Sequence, residues 1–145
     1  VPGDKVDIQV ELKGFGSENK SDVAMLVPAD GVEGVKNAVL EIVKHAGPNP
    51  CPPIVLGIGI GGTMDQAAVM SKKALLRDIS VPHKDADYAK LEIMEMVNKT
   101  GIGPQLGGTT TCIGVNIEWG ATHIAGLPVA VTIMCHAARH AHVVL

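Results

Sequence analysis

Three cysteines are the side chains in this 145-residue chain whose type and setting most clearly suggest chemistry. Cys51 stands among prolines, which restrict the backbone on both sides of it, and Cys135 closes an apolar run. Thiolates held in this way suit an iron–sulfur cluster, zinc or copper. The residues alone leave a ligand role and a core role open for both. Cys112 lies inside an apolar segment, where a cysteine is more often a small core residue.

Histidines form a second group. His136, His140 and His142 follow Cys135, and on a helix His136 and His140 would share one face. Together with Cys135 they are a possible zinc set, although the spacing matches no familiar zinc motif. His123 lies in a glycine-bounded segment between two predicted strands, where an imidazole can serve as an acid or base, orient a substrate, or simply hold a loop.

A glycine-rich run, GIGIGG at residues 57–62, satisfies the G-x-G-x-x-G pattern of dinucleotide-binding loops. The run does not open the domain, and no convincing second strand ends in an acidic residue at the required distance. Close backbone packing, or a site for an anion smaller than a dinucleotide, is the better interpretation of these glycines.

Composition narrows the classes of partner. Twelve lysines and arginines against 15 acidic residues give a net charge of −3, which argues against nucleic acid. The longest apolar runs are much shorter than the roughly 18–20 residues of a membrane-spanning helix, so no membrane partner is expected. Three cysteines are too few for a disulfide scaffold and favour a reducing, cytoplasmic setting. Aromatic residues make up only 2% of the chain, so the core must be aliphatic.

Hydrophobic periodicity predicts the elements that position these residues. The predicted strands cover residues 6–12, 22–27, 54–60, 109–119 and 127–134, and the predicted helices cover residues 32–46, 64–77 and 87–98. Residues 6–12 alternate as a half-buried strand does, and the tail 136–145 is ambiguous. The order of elements predicts an α/β domain with a mixed sheet and packed helices, not a doubly wound fold.

Five blocks, read in order, give the chain a specific resemblance. They are KGFGSENKS at residues 13–21, CPP at 51–53 with the glycine run and KKALLR at 72–77, GIGPQLGG at 101–108, ATHIAGLPVAV at 121–131, and CHAAR at 135–139. These blocks resemble the class I fumarases, which are oxygen-sensitive iron–sulfur hydro-lyases, and the related tartrate dehydratases. More narrowly, residues 1–145 look like the C-terminal portion of the alpha, or catalytic, domain of such an enzyme.

The resemblance implies a cofactor and a set of site residues. In that family three cysteines hold one four-iron, four-sulfur cluster and leave the fourth iron without a protein ligand. Cys51 and Cys135 match two of the three, whereas the third belongs to a block expected upstream of Val1, in an N-terminal part that this chain lacks. Cys112 matches no ligand position. His123 and Arg139 fall in matching blocks and are implied as active-site residues.

The implied activity is the reversible hydration of a small dicarboxylate, fumarate, to malate. Tartrate dehydration is the alternative within the family, and a non-catalytic metal-binding module is the alternative outside it. The resemblance also implies a fumarase beta subunit or domain as partner, which would carry the catalytic base, and assembly into a homo- or hetero-oligomer. We therefore expect these 145 residues alone to be inactive.

Overall fold

A computed structural model describes residues 3–81, 92–104 and 106–145 of the chain. Strands and helices alternate along it without regular β–α–β repetition. The strands are β1 (Asp7–Leu12), β2 (Asp22–Leu26), β3 (Ile54–Ile60), β4 (Cys112–Trp119), β5 (Leu127–Cys135) and β6 (Arg139–Val144). The helices are α1 (Phe15–Glu18), α2 (Gly31–Ala46), α3 (Met64–Leu75) and α4 (Ile93–Asn98), with a 3₁₀ turn at Pro28–Asp30.

Four strands form the main sheet in the order β2-β5-β3-β4. β3 pairs parallel with β4 and antiparallel with β5, and β5 pairs antiparallel with β2. The predicted mixed α/β sheet is therefore confirmed. Ile54, the first residue of β3, lies opposite both Cys112 and Cys135, so β3 starts where β5 ends. This register decides which loops meet at each end of the sheet.

The main core lies between one face of the sheet and the helices α2 and α4. It is aliphatic, as the near absence of aromatic residues predicts. Val39 and Val43 of α2 belong to this core together with Ile54 and Leu56 of β3, and all four are at most 1% exposed. α2 closely matches the predicted helix 32–46 and stops at Gly47, whose positive φ of 56° breaks the helical path.

Helix α3 covers the opposite face, and two glycines of β3 allow its close approach. A Cβ at Gly57 would lie 2.1 Å from the carbonyl oxygen of Ser71, and a Cβ at Gly59 would lie 2.0 Å from that of Ala67. Next to this contact the hydroxyls of Ser71 and Thr132 lie 2.6 Å apart. The prediction that the glycine run serves close backbone packing is confirmed.

The structure corrects the sequence analysis at the chain's two ends. Residues 6–12 were predicted to form a half-buried strand, yet the apolar side chains of β1 are exposed. The reason is that β1 does not join the main sheet and instead pairs antiparallel with β6, from Asp7 opposite Val144 to Leu12 opposite Arg139. The ambiguous tail is this second strand of a two-stranded ribbon.

Smaller differences concern element ends. The helix predicted over residues 64–77 ends at Leu75, because Arg77 leaves it to bind Glu118 at 2.6 Å and the carbonyl oxygen of Ile117 at 3.2 Å. The strand predicted from residue 109 begins at Cys112. Of the helix predicted over 87–98, Ile93–Asn98 is helical and residues 87–91 lie outside the described residues. No helix in the described part of the chain is long and apolar enough to cross a membrane.

The glycine contact gives a first test. Gly59→Ala should lower the free energy of unfolding by about 3 kcal/mol or more, because the new methyl group meets backbone atoms that cannot move aside. Gly16→Ala is the matched control, since nothing lies within 4 Å of a Cβ there. Urea denaturation of both variants measures the difference, and equal stabilities would show that α3 does not pack on β3 as described.

Candidate active site

Cys51 sits in the proline-rich loop that leads into β3. Its N–H donates a hydrogen bond to the carbonyl oxygen of Pro48 at 3.2 Å, which closes a tight turn. Its φ is 57°, in the left-handed region that typically costs a residue with a Cβ about 1–2 kcal/mol. The side chain is exposed. Backbone strain of this kind is concentrated at functional sites, and here it presents a thiol to solvent.

Cys135 reaches the same end of the sheet from the other direction. It is the last residue of β5, half-buried, and lies opposite Ile54, three residues beyond Cys51. His136 links the two segments, because its Nδ1 lies 3.2 Å from the carbonyl oxygen of Cys51. A carbonyl can only accept a hydrogen bond, so Nδ1 carries the proton in this contact and Nε2 is left for other partners.

Cys112 differs from the other two cysteines although it also lies opposite Ile54. It is 1% exposed, and its thiol donates to the carbonyl oxygen of Gly114 at 3.3 Å. Burial raises the pKa of this thiol to about 11, so the thiolate does not form near neutral pH. The prediction that Cys112 is a small core residue is confirmed.

Within the described ranges no three His, Cys, Asp or Glu side chains group together to hold a metal ion, so Cys51 and Cys135 do not complete a site between them.

The block at residues 13–21 packs at this same end. Ser21 accepts a hydrogen bond at 3.1 Å from the N–H of Ile133, two residues before Cys135. Glu18 joins the block to α3, because it binds both Lys13, at 3.2 Å, and Lys72. The hydrogen bond from Lys72 is the main reason that the pKa of Glu18 is lowered, while burial lowers the pKa of Lys13.

The segment that leads from α4 to β4 is fixed to this end by two side chains at its described residues. Asn98 accepts hydrogen bonds from the N–H groups of Thr111 and Cys112, both at 2.8 Å, and donates to the carbonyl oxygen of Cys112 at 3.0 Å. The hydroxyl of Thr111 accepts from the N–H of Gly103 at 3.1 Å. The carbonyl oxygen of Thr111 in turn accepts from the N–H of Ile54, the first residue of β3, at 2.7 Å.

Arg139 also lies near this end, four residues beyond Cys135, as the exposed first residue of β6. The interpretation of the tail histidines as a helical zinc set is wrong, because residues 139–144 form a strand. His140 pairs with Glu11 at 3.5 Å and His142 with Asp7 at 2.9 Å. These two histidines therefore attach the tail to β1 and do not face Cys135 as a ligand group.

His123 is the one predicted site residue that the structure places elsewhere. It lies in the loop between β4 and β5, which contacts the other end of β3 through a hydrogen bond from the N–H of Gly62 to the carbonyl oxygen of Ala121 at 3.0 Å. The seven residues of β3 separate the two ends by about 20 Å. His123 is exposed, and its Nδ1 accepts from the N–H of Ala125 at 3.1 Å.

The sequence analysis missed two residues that shape the cysteine end. His136 was considered only as a zinc ligand, whereas here it ties the Cys51 loop to the end of β5. Asn98 was not singled out, although its side chain makes three hydrogen bonds to the backbone of Thr111 and Cys112, where β4 begins. No signal in a single sequence indicates these contacts, because each joins segments whose proximity depends on the sheet register.

Thiol labelling tests the difference among the cysteines. At pH 8 a maleimide should modify Cys51 rapidly and Cys135 more slowly, because one is exposed and the other half-buried. Cys112 should stay unmodified until the pH approaches 11 or the chain unfolds. Peptide mass spectrometry after timed labelling gives the three rates. Early modification of Cys112 in the folded chain would contradict its buried position.

Comparison with known proteins finds relatives that match most of the chain. A protein from Methanocaldococcus jannaschii, provisionally named L(+)-tartrate dehydratase subunit alpha, is 50% identical over 145 residues, covering 95% of this chain and 51% of the relative. The L(+)-tartrate dehydratase subunit alpha of Escherichia coli strain K12 is 39% identical over 139 residues, covering 94% of this chain and 46% of the relative. The chain thus spans about half the length of the curated relatives it matches.

A family model described as fumarate hydratase (Fumerase) matches residues 1–144, nearly the whole chain. The match includes all five blocks that carry the resemblance in the sequence. The chain belongs to the fumarate hydratase family.

Proposed function

We propose that the chain is the C-terminal portion of the alpha part of an iron–sulfur hydro-lyase, and that Cys51 and Cys135 are two of the three cysteine ligands of its four-iron, four-sulfur cluster. The observation that carries the proposal is the register of β3 and β5, with Cys135 opposite Ile54 and Cys51 three residues before Ile54. The third ligand would come from polypeptide that this chain does not contain.

The chemistry of the available side chains fits this cofactor. Neither thiol is in a disulfide, Cys51 is exposed and Cys135 half-buried, and thiolates are the ligands that iron–sulfur clusters require. The buried Cys112, with its raised pKa, does not compete for the metal. When bound, a cluster with one open iron supplies a Lewis acid for the hydroxyl group that is added or removed.

The residues of this chain would then hold and orient the reacting groups. His136 would keep the Cys51 loop against the end of β5 through its hydrogen bond to the Cys51 carbonyl. Arg139, exposed close to Cys135, would bind a substrate carboxylate, for which a guanidinium is well suited. His123 has no step in this proposal, because it lies at the other end of β3.

The proposed reaction is the addition of water to fumarate to give malate, and its reversal. The family model, described as fumarate hydratase, supports fumarate. The names of the relatives support tartrate as a second candidate, since both are named, one of them provisionally, L(+)-tartrate dehydratase subunit alpha. Fumarate and tartrate are four-carbon dicarboxylates, so the same carboxylate-binding residues would serve either reaction.

A partner follows from the same proposal. The relatives are named as alpha subunits, which supports a beta subunit or domain as partner. In this proposal that partner would supply the catalytic base and further substrate contacts. His136 lies between Cys51 and Cys135, but its Nδ1 is engaged by the Cys51 carbonyl.

The test uses the intact alpha–beta enzyme prepared without oxygen. Cys51→Ser and Cys135→Ser should each lose bound iron and reduce activity at least about 100-fold, more than the loss of an outer hydrogen bond typically costs a metal site. Cys112→Ala is the matched control and should keep its iron and activity, with a stability cost of about 1 kcal/mol for the lost sulfur. Iron and sulfide analysis is combined with assays on malate and on tartrate.

Each result bears on a separate part of the proposal. Iron retained in both serine variants would remove the two cysteines from the ligand set. A colourless wild-type enzyme that holds zinc would favour the metal-binding module instead. A higher kcat/KM for tartrate than for malate, with iron loss in the variants as expected, would keep the cluster and change the substrate.

A further inference from the structure

The ribbon formed by β1 and β6 has one apolar face. In an antiparallel pair, the side chains of residues directly opposite each other point to the same side. The pairing continues past β6, because Val6 and Leu145 exchange two backbone hydrogen bonds. One side of the ribbon therefore carries aliphatic side chains, and Arg139 follows them at one end of that side. We name it the ribbon face, formed by Val6, Ile8, Val10, Leu12, Ala141, Val143 and Leu145.

The ribbon face is turned away from the rest of the described protein. Its larger side chains are between 39% (Ile8) and 70% (Leu145) exposed. The polar side is the one that faces inward, because Glu11 and His140 line a cavity of about 390 Å³ against α3 and the main sheet. Burial at this position raises the pKa of Glu11. Glu11 is half-buried there, whereas Asp7, Gln9 and His142 on the same side are exposed, so the ribbon packs on the rest of the described protein through one polar pair and leaves its aliphatic side chains exposed.

Such a ribbon needs another part of the protein to pack on its apolar face. A two-stranded pair is marginally stable in water unless it packs against something else. The exposed aliphatic side chains are contiguous along both strands. Six paired positions at about 3.3 Å each, across two strands, give a face of about 20 Å by 10 Å, or about 200 Å² in projection.

This size favours one kind of occupant. A stable complex between separate chains typically buries about 800 Å² of accessible surface on each partner, more than seven partly exposed aliphatic side chains provide. A segment of the same polypeptide needs less contact area, because its connection keeps it at a high local concentration. A second copy of the chain, or a separate subunit, would need additional surface that the ribbon does not supply.

The relatives contain such a segment, because each carries about as much polypeptide again as the part that matches this chain. Val6 and Leu145 lie side by side in the ribbon, so polypeptide joined at either end would begin next to the ribbon face. We infer that the ribbon face is the docking surface for the other half of the alpha subunit, in cis. This inference rests on the proposed membership of a full-length alpha subunit, but not on its cluster or its substrate.

The experiment uses the full-length alpha subunit. Val10→Asp puts a charge on the ribbon face, and Gln9→Glu, the matched control, adds the same charge one residue away on the polar side. Val10→Asp should lower the melting temperature by about 5–10 °C, because the charge must be buried under the other half, while Gln9→Glu should change it by less than about 2 °C. Analytical ultracentrifugation of the wild type and both variants, at the protein concentration used for the melting measurements, records the oligomeric state.

A second measurement does not depend on a variant that folds. Hydroxyl-radical footprinting of the wild-type full-length alpha subunit should oxidise Leu12 several-fold more slowly than Leu106, which is fully exposed in this structure. Equal oxidation rates, together with an unchanged melting temperature in Val10→Asp, would overturn the inference. So would protection that appears only when the alpha subunit dimerises or when the beta subunit is added. Failure of the cluster or substrate assays would leave these readouts unaffected.

Discussion

The antiparallel pairing of β3 with β5 is the constraint on which the candidate site depends. Because Ile54 lies opposite Cys135, the loop that enters β3 and the turn that leaves β5 must meet at one end of the sheet. Cys51 and Cys135 are far apart in the sequence, and no local element joins them. The hydrogen bond from His136 to the carbonyl of Cys51 adds a direct link across the two segments.

The packing of α3 on the sheet extends this arrangement. The glycines of β3 let α3 lie against the strand backbone, so its C-terminal turn returns to the end where β3 began. Lys72 in that turn then meets Glu18 from the N-terminal block. Arg77, just beyond the helix, pairs with Glu118 of β4, which lies opposite Gly59 toward the other end of β3. The packing of α3 therefore brings the N-terminal block to the cysteine end through Lys72 and ties the end of the helix to β4 through Arg77.

Sequence reasoning predicted the elements that have strong local signals. α2 has a helical repeat of valines closed by Gly47, and β3 is a short apolar strand followed by glycines, so both were predicted within a residue or two. The partner of β1 was not predictable in this way, because β6 lies at the other end of the chain and its histidines gave no periodic signal. The close packing at Gly57 and Gly59 was expected, while the contact surface on α3 was visible only in three dimensions.

The candidate site, like the fold, was predicted only where the sequence carries a local signal. The cysteines were selected by their proline and apolar neighbours and by the family blocks, and the separation of His123 from them could not be foreseen, because it depends on strand order. Membership of the fumarate hydratase family follows from the match over residues 1–144.

Intramolecular crosslinking of the metal-free chain tests the meeting of the two cysteines most directly. A bis-maleimide with a span of about 10 Å, the reach of three extended residues, should join Cys51 to Cys135 within one molecule and leave Cys112 unmodified. Peptide mapping would show the linked pair. If both thiols react singly and no intramolecular link forms at high dilution, the two cysteines do not share one end of the sheet and the proposed site is contradicted.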